Sequence, residues 1–153
     1  MAAGDIKWFS KALLNLGTKL YNLTSDSLKL GIINSTVTPS LSTADPHWGG
    51  TGTTNLATNE VSTAGGYTGP IALTSVTWTE VSNVPTLRAA NVTIPQNASG
   101  FTNGRWGVIY DDTDVNKRAL GFVDLGAVTS IASASLTFDW AGASGDILTI
   151  TQS

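Results

Sequence analysis

Carboxylates at alternate positions in a turn are the first feature of this sequence that could do chemistry. The stretch Arg105–Gly126, RWGVIYDDTDVNKRALGFVDLG, carries Asp111, Asp112, Asp114 and Asn116 between two apolar runs. Oxygen donors at 112, 114 and 116 match the opening of a calcium loop, whose first ligands recur at every second residue. The match then fails. Lys117 stands at the sixth position, where such a loop needs glycine, and Val123 at the twelfth, where it needs glutamate. Asp and Asn are ordinary turn residues in any case, because their side chains bond nearby backbone and tolerate turn geometry. Neither a metal centre nor a cofactor is expected.

A catalytic base is harder still to assemble. His47 is the single histidine, so any triad would have to use it, and its setting, ADPHWGG, offers no orienting partner. A surface loop histidine is the expectation. GGTGTT at Gly49–Thr54 is glycine-rich, but it lacks the preceding strand, the following helix and the lysine of a phosphate-cradling loop. The chain has no cysteine for a thiolate site or a disulfide. No catalytic residue is assigned and no enzymatic activity is expected. Among the five tryptophans, Trp78, Trp106 and Trp140 fall inside strand patterns and read as core. Trp48, in the glycine-rich loop, is expected to be partly exposed, as a sugar platform or a protein contact. Asn22, Asn34, Asn91 and Asn97 head glycosylation-type triplets, read as chance in a chain rich in Ser, Thr and Asn.

The elements that must position these residues are mostly strands. Trp106–Tyr110 and Ala119–Leu125 alternate with apolar residues on both faces, which marks a doubly covered central hairpin. Ser27–Ser35 alternates through Leu28, Leu30 and Ile32. A period of two returns in Ile71–Leu73, Val76–Thr79 and Leu87–Ile94. Leu136–Trp140 and Ile147–Thr151 are expected to close the chain as a hairpin joined by AGASGD. The region 36–69, with Pro39, Pro46 and several glycines, reads as a long loop, with a short strand at Asn59–Thr63. Asp5–Tyr21 is the one helix candidate: Phe9, Leu13, Leu16 and Leu20 fall on one stripe, and Asp5 suits an N-cap. That helix either packs on the β-domain or serves as a docking arm. The expected fold is all-β, a β-sandwich of jelly-roll or immunoglobulin-like type, with one N-terminal amphipathic helix. The expected organisation is a single domain over 1–153, with the helix at 5–21 and the sandwich at 27–153.

Charged residues make up only 12% of the chain, against about a quarter in ordinary domains. Such a surface is either that of a generic exposed β-protein or one buried against partners, because interface cores are depleted in charge. The net charge of −3 and the scattered basic residues argue against nucleic acid. No apolar stretch approaches the roughly 18 residues of a membrane span, and the start MAAGDIKWFS lacks a leader pattern. A soluble protein made in a cytoplasm is expected.

The succession of ALLNL (Ala12–Leu16), SLKLGIINS, Gly65-Gly66-Tyr67, RWGVIYDD (Arg105–Asp112), LGFVDLG (Leu120–Gly126) and DILTI (Asp146–Ile150) resembles a family of small virion structural proteins of tailed bacteriophages. Members are described as capsid decoration (cement) proteins or as uncharacterised structural proteins. The resemblance covers most of the chain and implies no catalytic residues. It implies a place on the capsid surface, with the major capsid protein and copies of itself (a dimer or trimer at a symmetry axis) as partners, and synthesis in the host cytoplasm. A neck or tail component, or a carbohydrate-binding module for host attachment, are the alternatives. The candidate partner contacts are Trp8, Phe9 and Leu13 on the helix and His47, Trp48 and Tyr67 in the loop region.

Overall fold

Short apolar alternations broken by Gly, Pro and Asn give short strands, and the computed structural model, which describes residues 6–140 and 145–150, is built of them. The chain opens with β1 (Ile6–Trp8), a single helix α1 (Ser10–Gly17) and β2 (Leu28–Ile33). The next segment holds β3 (Pro46–His47), β4 (Thr54–Asn55), a 3-10 turn (Leu56–Asn59) and β5 (Ile71–Ala72). Then come β6 (Thr77–Val81), β7 (Val84–Arg88), β8 (Val92–Ile94), β9 (Gly104–Asp111), β10 (Ala119–Thr129), β11 (Leu136–Phe138) and β12 (Asp146–Thr149). The fold is all-β with this one helix among the described residues.

The central sheet is antiparallel, in the order β1-β10-β9-β2-β5. Beside it lie the antiparallel sheets β12-β7-β6 and β11-β8, and the parallel pair β3-β4. Residues directly opposite each other share a face, so Gly31, Val108 and Phe122 line one side of the central sheet, and Leu30, Ile109 and Gly121 the other. Both sides are buried. The hairpin that the sequence marks as doubly covered is therefore the middle of the molecule.

Each face carries a glycine notch that an aromatic ring fills. A Cβ on Gly31 would lie 2.2 Å from Cη2 of Trp48. A Cβ on Gly107, on the opposite face, would lie 2.7 Å from Cε1 of Phe138. Trp48 brings the long 36–69 region down on one face, and Phe138 brings β11 down on the other. A flat ring against bare backbone buries a large apolar area at the closest possible approach. The paired glycines before Tyr67 act similarly. Gly66 passes against the Pro95 carbonyl with no room for a Cβ, and Gly65 takes φ +67 beside Asn97. Tyr67 thereby reaches full burial edge-on to Phe101, and its hydroxyl accepts from the Ile32 N–H (3.1 Å) and donates to Glu60 (2.7 Å).

The structure corrects four expectations. The helix proposed for Asp5–Tyr21 is shorter: Ile6–Trp8 is an edge strand paired to Gly121–Val123, and Phe9 is extended where it caps α1. The buried side of α1 is Ala12 and Asn15, continuing from Phe9, while Leu13 and Leu20 face outward. The run Leu87–Ile94 is two strands, because β7 and β8 join different sheets. The closing strands do not pair with each other: β11 pairs with β8 and β12 with β7, and residues 141–144 of their connection lie outside the described residues. The long 36–69 region is tied to the central sheet. Glu60 bridges Ile33, and Asn59 and Val61 bond the end of β2, which is what becomes of the strand expected at Asn59–Thr63.

Two stability outcomes follow from this packing. Gly31→Ala should destabilise the protein by about 1–3 kcal/mol, because the Trp48 ring must move, whereas Gly17→Ala, with open space around it, should be neutral or gain up to about 1 kcal/mol. Urea unfolding of both variants tests the contrast, and equal midpoints would contradict it. Deleting residues up to Tyr21 should abolish the cooperative thermal melt, since the deletion removes an edge strand and buried Trp8, Phe9 and Ala12.

Candidate functional site

The two features that could carry chemistry lie far apart in sequence, and the fold sets them against each other. The Trp48 N–H donates to the Lys117 carbonyl (2.8 Å), and His47 forms an isolated bridge with Arg118. Gly50 rests on the Asn116 carbonyl with no space for a side chain. The Trp48 ring stacks on Tyr110, with centroids 5.4 Å apart and planes 3° from parallel. The glycine-rich loop is thus a cover over the acidic turn. Asn55 ties it down by accepting the N–H groups of Gly49 (2.9 Å) and Ala57 (3.1 Å).

Within the turn every carboxylate is already engaged. Asp111, 1% exposed, accepts the N–H groups of Thr113 (2.8 Å) and Asp114 (3.1 Å), the bonding that shapes an Asx-type turn. Asp112 holds Lys29 and Lys117, each at 2.8 Å. Asp114 holds Arg118 through both oxygens (2.8 and 2.9 Å). Lys117 takes the left-handed conformation, φ +51, at the position where a calcium loop has its glycine. Its own ammonium then neutralises Asp112. Burial alone would raise Asp112, but hydrogen bonds and charge from Lys117 and Lys29 outweigh it and hold the carboxyl below its usual range. Asp111 goes the other way. Burial and the nearby Asp26 carboxylate push it up to about 6, against the pull of its two N–H donors.

The structure places the candidate contact residues mostly inside. His47 is 4% exposed beneath Gly52, and its Nδ1 has no hydrogen-bond partner. Trp48 is 7% exposed, because Gly31 gives it a seat that no local pattern around position 48 reveals. Trp8, Phe9 and Tyr67 are buried core residues. The reading of His47 as a surface residue and of Trp48 as partly exposed is therefore corrected, and with it the availability of these five side chains to a partner. Leu13 alone of the six lies on the surface. Sequence reasoning missed its neighbours Leu14, Leu20 and Leu41, all exposed. For Leu14 the consecutive leucines of ALLNL are the available signal, because neighbours on a helix point in different directions and the narrow buried side of α1 takes Ala12 and Asn15.

The arrangement presents no serine or threonine hydroxyl donating to a carboxylate or to His47 among the described residues, and its carboxylates are occupied by the chain's own cations and amides. What it does is lock a long loop to the central hairpin. Comparison with protein-family models, curated proteins and solved structures gives no match.

Protonation supplies two tests. Between its ordinary 3.8 and about 6, folded Asp111 keeps a proton that the unfolded chain has released, so stability falls as pH rises through that window. Asp111→Asn, which keeps the acceptor oxygen, should flatten the dependence of Tm on pH between 4 and 6 and raise Tm at pH 7; an unchanged slope would assign it elsewhere. Burial also raises Tyr21 to about 12 and pushes Tyr67 and Tyr110 higher still. These are all three tyrosines of the chain. Absorbance titration should show no phenolate near pH 10, then release together with unfolding; the stabilising effect of these neutral phenols is complete below pH 10 and is lost above it.

Proposed function

We propose that this chain is a structural protein of a bacteriophage virion, specifically a head decoration protein bound to the outer capsid surface. There it bridges major capsid subunits and associates with its own copies as a dimer or trimer at a symmetry axis. In this reading the fold is a sandwich of jelly-roll or immunoglobulin-like type, with the central sheet as one layer and the β11-β8 pair part of the layer that covers it. The strand motifs that resemble the phage family carry the assignment to virions.

The observation that favours a lattice-bound role is how the few charges are used. Lys29, Arg88, Arg105, Lys117 and Arg118 each hold a carboxylate of the same chain. The exterior is left dominated by Ser, Thr, Asn and Gly, which a neighbour can cover without stripping water from isolated ions. Weak contacts repeated over a symmetric lattice then retain each copy far more firmly than one contact does. A carbohydrate-binding role loses support, because the face of Trp48 that would hold a sugar is stacked on Tyr110.

Image reconstruction of the assembled particle tests the proposal. Density for this chain over the capsomers is expected; density on the neck or tail would overturn the head assignment, and its absence from purified particles would overturn the virion reading. Heads lacking the chain should also release DNA at a lower temperature than heads to which it is added back.

A further inference from the structure

A strand that ends a sheet presents a row of unpaired N–H and C=O groups, and folded proteins blunt such edges with shortness, lysine, proline or a bulge. Most edges in this fold are blunted in one of these ways. β1 has three residues and carries Lys7, and β8 and β11 have three each. β3, β4 and β5 have two each. β12 is broken by a register shift between Asp146 and Leu148. Beyond β1, the free side of β10 is broken by a shift between Asp124 and Thr129 and by Gly126 at φ +78. Among the described strands β6 is the exception. It ends the β12-β7-β6 sheet, pairs with β7 without a break from Thr77 to Val81, and its sequence, TWTEV, holds neither lysine nor proline.

The hairpin turn fixes which groups of β6 are free. Ser82 and Asn83, both at positive φ, make a two-residue turn that closes Val81 on Val84 as a hydrogen-bonded pair. Bonded and non-bonded pairs alternate along an antiparallel ladder. Thr77, Thr79 and Val81 therefore bond β7, while Trp78 and Glu80 turn their N–H and C=O groups outward. Pro85 agrees with this. It stands opposite Glu80, and its carbonyl accepts from Ile150 on the β12 side, so its missing N–H takes no bond from β6. Among the described residues no strand or loop covers the outer edge of β6, and Thr77, Thr79 and Glu80 are exposed.

The order of side chains says what pairs there. We infer that β6 pairs antiparallel with β6 of a second copy across a two-fold axis at Thr79, joining two molecules through one continuous sheet. With the axis at Thr79 the strands overlap from Thr77 to Val81. Trp78 of one copy then exchanges N–H and C=O bonds with Glu80 of the other, and the symmetry repeats the exchange. Thr79 meets its own copy in the close, non-bonded pair, and threonine opposite threonine is a favoured cross-strand arrangement. Glu80, which makes no ion pair among the described residues, lies opposite Trp78 and not opposite itself. An axis at Glu80 would set like charges directly against each other, which destabilises a ladder. An axis at Trp78 would carry Glu80 past the end of the facing strand at Thr77. The strand is thus complementary to itself in one full-length alignment, as an isologous contact requires. Pairing uses up the open edge of both copies, so the contact stops at two. The inference deepens the self-association proposed above and rests on that reading for the setting in which copies meet; of the dimer and the trimer it selects the two-fold form.

Because the chain has no cysteine, one introduced thiol reports the alignment. Thr79 and its symmetry mate would stand about 4.5 Å apart at Cα, within disulfide reach, whereas Thr77 would face Val81. Under mild oxidation Thr79→Cys should form a covalent dimer at least about tenfold faster than Thr77→Cys. A short strand edge makes a small interface, so wild-type dimers should be seen by sedimentation at about 1 mM protein and dissociate on dilution. Thr79→Lys, at an exposed position, should keep a cooperative melt yet dimerise at least about tenfold more weakly, since two ammonium groups meet on the axis. Equal crosslinking rates at the two positions, a trimer, a dimer unaffected by Thr79→Lys, or sedimentation that does not change up to about 1 mM would each overturn the inference. If the copies pair through Thr79 but purified particles lack the chain, the virion reading fails while the edge pairing stands. If the chain sits on heads with the β6 edges of neighbouring copies apart, the edge pairing fails and the head reading stands.

Discussion

The seat of Trp48 on Gly31 is the contact on which most of this structure depends. The central hairpin is apolar on both sides, so it is stable only if something covers each face. On one side the cover is a long segment with little regular structure of its own. That segment has few strand pairings to hold it, and one large ring in one backbone notch supplies the close-packed area that makes it stay. With Trp48 seated, the glycine-rich loop meets the acidic turn, His47 is closed in beneath Gly52, and Asn55 can collect the loop's free N–H groups.

The acidic turn then has a structural explanation. Four carboxylates meet there, Asp26 and those of Asp111, Asp112 and Asp114, and in water they would repel one another. The chain offsets them locally with Lys29, Lys117, Arg118 and the backbone amides of Asn22, Thr113, Asp114 and Arg118. Asp111, buried beside Asp26 and held by amides rather than by a cation, is left imperfectly compensated. Spending most of its cations on internal pairs leaves the protein with an exterior of hydroxyls and amides, and gives the remaining lysines unusual weight wherever they fall.

How much of this is legible in the sequence depends on the range of the interaction. The β9–β10 hairpin is readable because the burial of Trp106, Val108 and Tyr110, and of Ile109 between them, follows directly from a period of two. β1 is not, since three residues cannot display a period and the helical spacing beside them absorbs Phe9. The β6–β7 hairpin is hidden by its turn, where Ser82 and Asn83 take φ +51 and +65 with no glycine to announce them. Partner choice is equally silent: the turn chemistry between the last two strands suits a hairpin, yet both find better partners in β8 and β7. The interior positions of His47 and Trp48 hinge on Gly31 and Asn116, which no window around residue 47 contains.

The two notches also act as a ruler. In the register of the central sheet, Ile32 lies opposite Gly107 and Gly31 opposite Val108, so adjacent rows of the sheet carry their gaps on opposite faces. Sliding β2 by one residue would present Leu30 or Ile32 to Trp48 where a bare backbone is required, and would turn its apolar side chains to the wrong face. Only one alignment of β2 and β9 lets the tryptophan and Phe138 lie flat at once. Two missing side chains therefore specify the alignment of the strands, and the bulky rings read it.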